Sequence, residues 1–170
     1  MSANLEIKAR VDSLKSVEHT LQSLPVIFKG VDQQIDTFFL TTGGRLKLRE
    51  SQIYGTILIP YLRPDQKEAA HAEYQLIPIE DAVTTKRLFS NILGKLTVVE
   101  KVRRIYLYEN VRIHLDKVNR LGAFIELEGV YDGKVTEEQN MAKIQYLMQI
   151  LQIRKNQLVE KAYIDLLLEL

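Results

Sequence analysis

Acidic and basic side chains stand at alternate positions in six short segments of this chain. In NLEIKARV (residues 4–11), Asn4, Glu6, Lys8 and Arg10 alternate with Leu5, Ile7, Ala9 and Val11. Arg45, Lys47 and Arg49 alternate with leucines in RLKLRE; Tyr61 aligns with Arg63, and Lys101 with Arg103. Arg112, His114 and Asp116 share one face of VRIHLD, and Glu126 and Glu128 share one face of FIELEG. A period of two puts each charged set on one side of a strand and the apolar set on the other. One such strand is what any half-exposed antiparallel sheet shows. Six of them, with acids concentrated in FIELEG and bases in RLKLR and EKVR, suggest a lined interior. Ions buried there without partners cost several kcal/mol each. A triphosphate carrying Mg²⁺ or Mn²⁺ satisfies both kinds of wall. Carboxylates hold the hard cation through oxygen, while Arg and Lys hold phosphate oxygens.

Strands must position these side chains, and the turn residues supply their connections. Gly43-Gly44 and Tyr54-Gly55 read as turns around RLKLRE, with QIDTFFLT a short strand before it and TILIPYLR a strand after it. PDQKEAAHA reads as a loop leading into a strand, EYQLIPI. Three long strands, LTVVEKVRRIYLY, NVRIHLDKV and AFIELEGV, are joined at Glu109-Asn110 and at residues 119–122, as antiparallel hairpins. Helices are predicted at four places. The first carries Leu14, Val17, Leu21 and Leu24, capped by Asp12 and stopped by Pro25. The second is capped by Asp81, with Leu88 and Ile92 one turn apart and Gly94 at its end. The third has the capping-box spacing of Thr136 and Gln139 and a stripe of Ile144, Leu147, Met148 and Leu151. The fourth covers roughly residues 155–168. About eight strands, mostly in hairpins, make an α+β protein or a closed barrel with helices outside.

Bulk properties narrow the classes. The 170 residues suit one domain, 1–170, with no internal repeat or Gly/Pro-rich linker. Hydrophobic residues make up 46% and charged residues 26%, the mix of a soluble globular protein. A net charge of +1 supplies no global field for nucleic acid or a bilayer. The absence of cysteine removes disulfides, thiolate catalysis and Cys-based zinc sites. Charges in MSANLEIKAR argue against a signal peptide, and no segment reaches the roughly 20 apolar residues of a membrane span, so a cytoplasmic protein is expected. There is no Gly-x-x-x-x-Gly-Lys-Ser/Thr loop and no Gly-x-Ser-x-Gly elbow.

An ordered set of segments carries a family resemblance. NLEIK, QIDTFF (34–39), GRLKLRE (44–50), LIPYLRPD (58–65), EKVRRIYLY (100–108), VRIHLDKV (111–118) and LGAFIELE (121–128) together resemble the CYTH proteins, or triphosphate tunnel metalloenzymes. The last three segments and RPD are most similar to the class IV adenylyl cyclase branch. The resemblance implies an eight-stranded antiparallel β-barrel, the triphosphate tunnel, with helices packed outside and Mg²⁺ or Mn²⁺ as cofactor. It implies metal ligation by Glu6, Glu126 and Glu128, with Asp116 as a fourth ligand. It implies a triphosphate cradle of Lys8, Lys47, Arg49, Arg63, Lys101, Arg103 and Arg112, and a catalytic set of Glu6, Lys8, Arg63, Glu126 and Glu128. Arg10 and Arg45 share those faces with weaker claims. His114 reads as a satisfied strand histidine, with a contact to substrate as the alternative, and His19 and His71 as surface residues. Asn4 stands where the family signature has its first glutamate. Ala70 and Ala72 stand where lysine and serine are usual, and Phe38 where tyrosine is common. These departures imply attenuated activity.

Two reactions fit such a tunnel. A cyclase converts ATP to cyclic AMP and pyrophosphate through attack of the ribose 3′-oxygen on the α-phosphorus. A triphosphatase hydrolyses tripolyphosphate, thiamine triphosphate or a nucleoside triphosphate by attack of water on the terminal phosphorus. A catalytically weak nucleotide or polyphosphate sensor is the third reading. The partner is in each case a small triphosphate, with no nucleic acid or membrane, and the branch implies a homodimer.

Overall fold

In the computed structural model, the described residues are 4–62, 73–131 and 133–170, with Asn4 and Glu73 described in backbone only. Arg63, Ala70, His71 and Ala72 lie outside them. In chain order the elements are β1 (Asn4–Arg10), α1 (Leu14–Leu21), β2 (Ile27–Phe39), β3 (Arg45–Ser51), β4 (Gly55–Leu62), β5 (Glu73–Tyr74) and β6 (Ile77–Pro78). Then follow α2 (Ala82–Leu93), β7 (Lys95–Tyr108), β8 (Val111–Val118), β9 (Gly122–Val130), α3 (Glu137–Ile150) and α4 (Tyr163–Leu168). The strands hydrogen-bond in the order β1-β9-β8-β7-β2-β3-β4-β5, with β6 also paired to β4. Among the described residues β1 and β5 end this path. The fold is α+β, an antiparallel sheet with helices, as the hairpin signals predict.

The residues group into two compact units, Met1–Val31 with Arg103–Lys161 and Asp32–Val102 with Ala162–Leu170, so β2 and β7 contribute to both. In the first unit, Leu5 and Ala9 of β1, Ile113 and Leu115 of β8, and Ile125 and Leu127 of β9 occupy the face opposite the charges and are buried. Val17 and Leu21 of α1 and Ile144 and Leu147 of α3 cover them. Each fully buried leucine or isoleucine contributes about 1.5–3 kcal/mol, and this opposing face is what forces the charged positions to the other side. Gly129 lets α3 lie close to β9: a Cβ there would stand 3.0 Å from Cγ of the buried Asn140. In the second unit, Phe39, Leu48 and Leu58 pack with Phe89 and Leu93 of α2.

Several local expectations change. The N-cap of α1 is Ser13, not Asp12, because Ser13 is extended and its Oγ accepts from the Ser16 N–H. The second helix does end in the Asp81 and Gly94 caps, but Leu88 and Ile92 face outward at 44% and 75% exposure. Phe89 turns inward instead, its ring 5.5 Å from that of Phe39. The strand expected at QIDTFFLT starts at Ile27, and EYQLIPI forms two two-residue strands. The last helix is short because Val159 N–H donates to Lys8 O and Leu158 bridges Ala9, which holds the chain extended beside β1 after a 3-10 turn at Lys155–Gln157. The capping box of Thr136 and Gln139 forms in full.

Candidate functional site

Register decides which charges meet in the first unit. Glu6 of β1 lies opposite Glu128 of β9, which lies opposite Arg112 of β8. One row along, Lys8 lies opposite Glu126 and Glu126 opposite His114; the next row is Arg10, Phe124 and Asp116. The carboxylates of Glu6, Glu126 and Glu128 thus gather on adjacent strands, flanked by Lys8 on β1 and Arg112 on β8. Glu126 is the hub. Its carboxylate accepts from Arg103 Nη2 at 2.5 Å, lies 3.6 Å from Lys8 Nζ, and has His114 Nδ1 at 3.5 Å. Burial raises its proton affinity, but the Arg103 guanidinium, with His114 and Lys8, outweighs burial and holds the carboxyl well below the usual range. His114 is lowered by burial and by Arg103, so it stands neutral at pH 7.

Glu6 shows the opposite shift. Burial, then the negative charge of Glu126 and to a smaller extent Glu128, push its carboxyl up to about 7 against the pull of Lys8, although its side chain keeps solvent contact. Crowded carboxylates of this kind are the donor set a hard divalent cation takes. Mg²⁺ or Mn²⁺ therefore fits Glu6, Glu126 and Glu128 by charge and by atom type. Among the described residues no three His, Asp or Glu side chains are already drawn together to hold one ion. Asp116 is placed differently from the other acids. It is fully buried and accepts from Arg103 Nε at 2.7 Å and Nη2 at 2.6 Å, a two-point clamp. Arg112 is half exposed, 3.5 Å from Glu128.

The second unit holds a basic cluster around one acid. Asp36 of β2 faces Arg49 of β3, with Lys47 one row along opposite Phe38. Arg49 donates from Nε and Nη2 to Asp36, both at 2.7 Å; Lys47 Nζ donates at 3.0 Å, and Lys101 Nζ lies 3.6 Å away. Lys101 also sits 5.7 Å from the centre of the Tyr163 ring. Asp36 is absent from the site residues expected from sequence, although Asp32, Gln34, Asp36 and Phe38 alternate as the other charged strands do. Arg45 pairs with Asp165 at 2.8 Å, and Arg10 donates to Leu121 O at 2.6 Å while stacking on Phe124, so both have structural partners. His19 is exposed, as a surface residue should be. Arg63 lies outside the described residues. No helix among them is long and apolar enough to cross a membrane.

The chain is similar to known proteins over nearly its whole length. A protein of Methanocaldococcus jannaschii that bears the name "Putative adenylate cyclase" is 23% identical, over 95% of this chain and 97% of its own. The solved structure of a Pyrococcus horikoshii protein superposes with a TM-score of 0.83 at 23% identity, covering 96% of this chain and 98% of that one. A Hippeastrum protein, named as an adenylyl cyclase and described as having a dominant triphosphatase activity, superposes at 0.71 and 15% identity over 99% of this chain and 96% of that one. These likenesses show the fold. The CYTH domain signature matches residues 2–163, and the chain belongs to the CYTH domain family.

Proposed function

We propose that this protein is a metal-dependent enzyme acting on a triphosphate, converting ATP to cyclic AMP and pyrophosphate. The observation that carries the proposal is the pair of rows Glu6–Glu128–Arg112 and Lys8–Glu126–His114, which set three carboxylates beside the cations of Lys8 and Arg112 on one sheet face. Glu6, Glu126 and Glu128 hold the metal. Bound there, Mg²⁺ or Mn²⁺ supplies Lewis-acid polarisation of phosphate oxygens. By the family resemblance, Lys8, Lys47, Arg49, Lys101 and Arg112 hold phosphate oxygens and offset the charge that gathers on the departing pyrophosphate. Arg63 belongs to the same cradle by its place in the sequence. Arg103 and Asp116 serve in a supporting capacity: their clamp keeps Glu126 ionised and oriented.

A second reading, triphosphate hydrolysis, is favoured by the dominant triphosphatase activity of the Hippeastrum relative. The same cradle serves it, with water as nucleophile and the terminal phosphoryl group transferred. Incubation with ATP, tripolyphosphate or thiamine triphosphate and Mg²⁺ or Mn²⁺ separates the two. Cyclic AMP with pyrophosphate from ATP supports the cyclase; orthophosphate without cyclic AMP, accompanied by ADP, thiamine diphosphate or, from tripolyphosphate, pyrophosphate, supports the hydrolase. Glu126→Ala and Glu128→Ala abolish metal-dependent turnover of either kind. Full turnover in those variants would overturn the ligand assignment, and binding without products would make the protein a sensor.

A further inference from the structure

Asp36 stands out because it places a negative charge in the middle of a cluster that is otherwise built to attract anions. It is 2% exposed and meets Lys47, Arg49 and Lys101 together, at distances of 2.7–3.6 Å. Lys101 is itself 5% exposed. An ammonium group removed from water beside two other cations loses its proton unless an anion holds it. A neutral amine attracts phosphate far less. Arg49 has the matching need, since its planar fork must be fixed in orientation before it can engage a second anion edge-on.

We infer that Asp36 is a positioning residue that holds the ammonium groups of Lys47 and Lys101 and the guanidinium fork of Arg49 in place before phosphate arrives. The inference deepens the proposed function and rests on that reading for the identity of the anion. Among the described residues three cations face this one carboxylate, so Asp36 organises the cradle without matching its positive charge. The groups facing Asp36 are Lys47 and Arg49 from β3 and Lys101 from β7, with the Tyr163 ring of α4 against Lys101. Burial works to raise the Asp36 carboxyl, and Lys101, Lys47 and Arg49 outweigh it, holding it well below the usual range. It is therefore ionised throughout the range in which these lysines titrate.

The test is calorimetric binding of tripolyphosphate to wild type and Asp36→Asn in EDTA, across a pH series. Wild type retains affinity to higher pH than the variant, which loses it at least about one pH unit earlier. A variant profile with the wild-type shape, whatever its absolute affinity, overturns the inference. Should Asp36→Asn fail to fold, side-chain NMR of wild-type Lys47 and Lys101 decides. Both signals remain those of ammonium past about pH 10, and loss of either proton below about pH 9.5 overturns the inference. Failure of wild type to bind tripolyphosphate would count against the proposed function, while the NMR titration still judges Asp36.

Discussion

Replacing Arg103 by leucine separates a supporting role from a substrate-holding one. The guanidinium makes three hydrogen bonds of 2.5–2.7 Å to Asp116 and Glu126, and the side chains involved are 10%, 0% and 9% exposed. Removing one partner of a buried ion pair costs about 3–5 kcal/mol because the other charge is stranded. Lys8 at 3.6 Å and His114 at 3.5 Å remain beside Glu126, which places the expected loss at about 3 kcal/mol at roughly pH 7.5, the lower end of that range. The loss must also depend on pH. A carboxyl held below its unfolded value of 4.5 adds stability that is present above pH 4.5 and lost as pH falls through the folded value. Arg103 is the largest of the groups that hold Glu126 down, so Arg103→Leu removes much of that gain. The gap between wild type and variant is widest above about pH 6 and narrows toward about pH 4. Urea denaturation followed by circular dichroism at about pH 4.5, 6 and 7.5 measures it. Arg112→Leu, at a half-exposed site, is the control, with a loss under about 1 kcal/mol. A loss at Arg103 below about 1 kcal/mol, or one equal at all three pH values, would refute the clamp.

Two further outcomes follow from the acidic rows. Glu6 is raised to about 7, so the folded protein prefers it protonated and stability declines as pH rises from 4.5 through 7. With metal chelated, Glu6→Gln is as stable as wild type at about pH 4. At about pH 8 it is more stable by about 1 kcal/mol; solvent contact screens the roughly 3 kcal/mol that the full shift would give. Thermal melts in EDTA check this, and an unchanged or lowered stability at the higher pH counts against the crowding of Glu6 by Glu126 and Glu128. Asn4→Glu lowers the Mn²⁺ concentration needed for half-maximal triphosphate turnover by at least about threefold, since a carboxylate holds the ion better than an amide oxygen. An unchanged metal requirement would place position 4 outside the metal site.

The charged faces are legible in the sequence because a strand's period leaves little choice once the opposite face is apolar. Leu5, Ala9, Ile125 and Leu127 are buried, so Lys8, Glu126 and Glu128 have to share the other side. What alternation cannot supply is the partner of each charge. Arg103 and Lys101 look alike in EKVRR, two residues apart on one face, yet one clamps Asp116 and Glu126 and the other faces Asp36. That division depends on registry between strands far apart in sequence. Asp36 itself is a lone charge within QIDTFF, and only the full length of β2 from Ile27, with Asp32 and Gln34 on the same face, shows the polar stripe it belongs to. Residue type leaves the inward face of α2 open for a related reason. Leu88 and Phe89 are both plausible core residues by type, and only the packing against Phe39 selects Phe89. The last helix is shortened by a backbone bridge to β1, which local propensity does not report.

Calorimetric titration of the wild-type protein with tripolyphosphate, once in EDTA and once with Mn²⁺, tests the triphosphate site most directly. Binding is expected in both, carried by the cationic cluster, and at least about tenfold tighter with the metal, or about 1.4 kcal/mol. No measurable binding under either condition would contradict a triphosphate site in this fold.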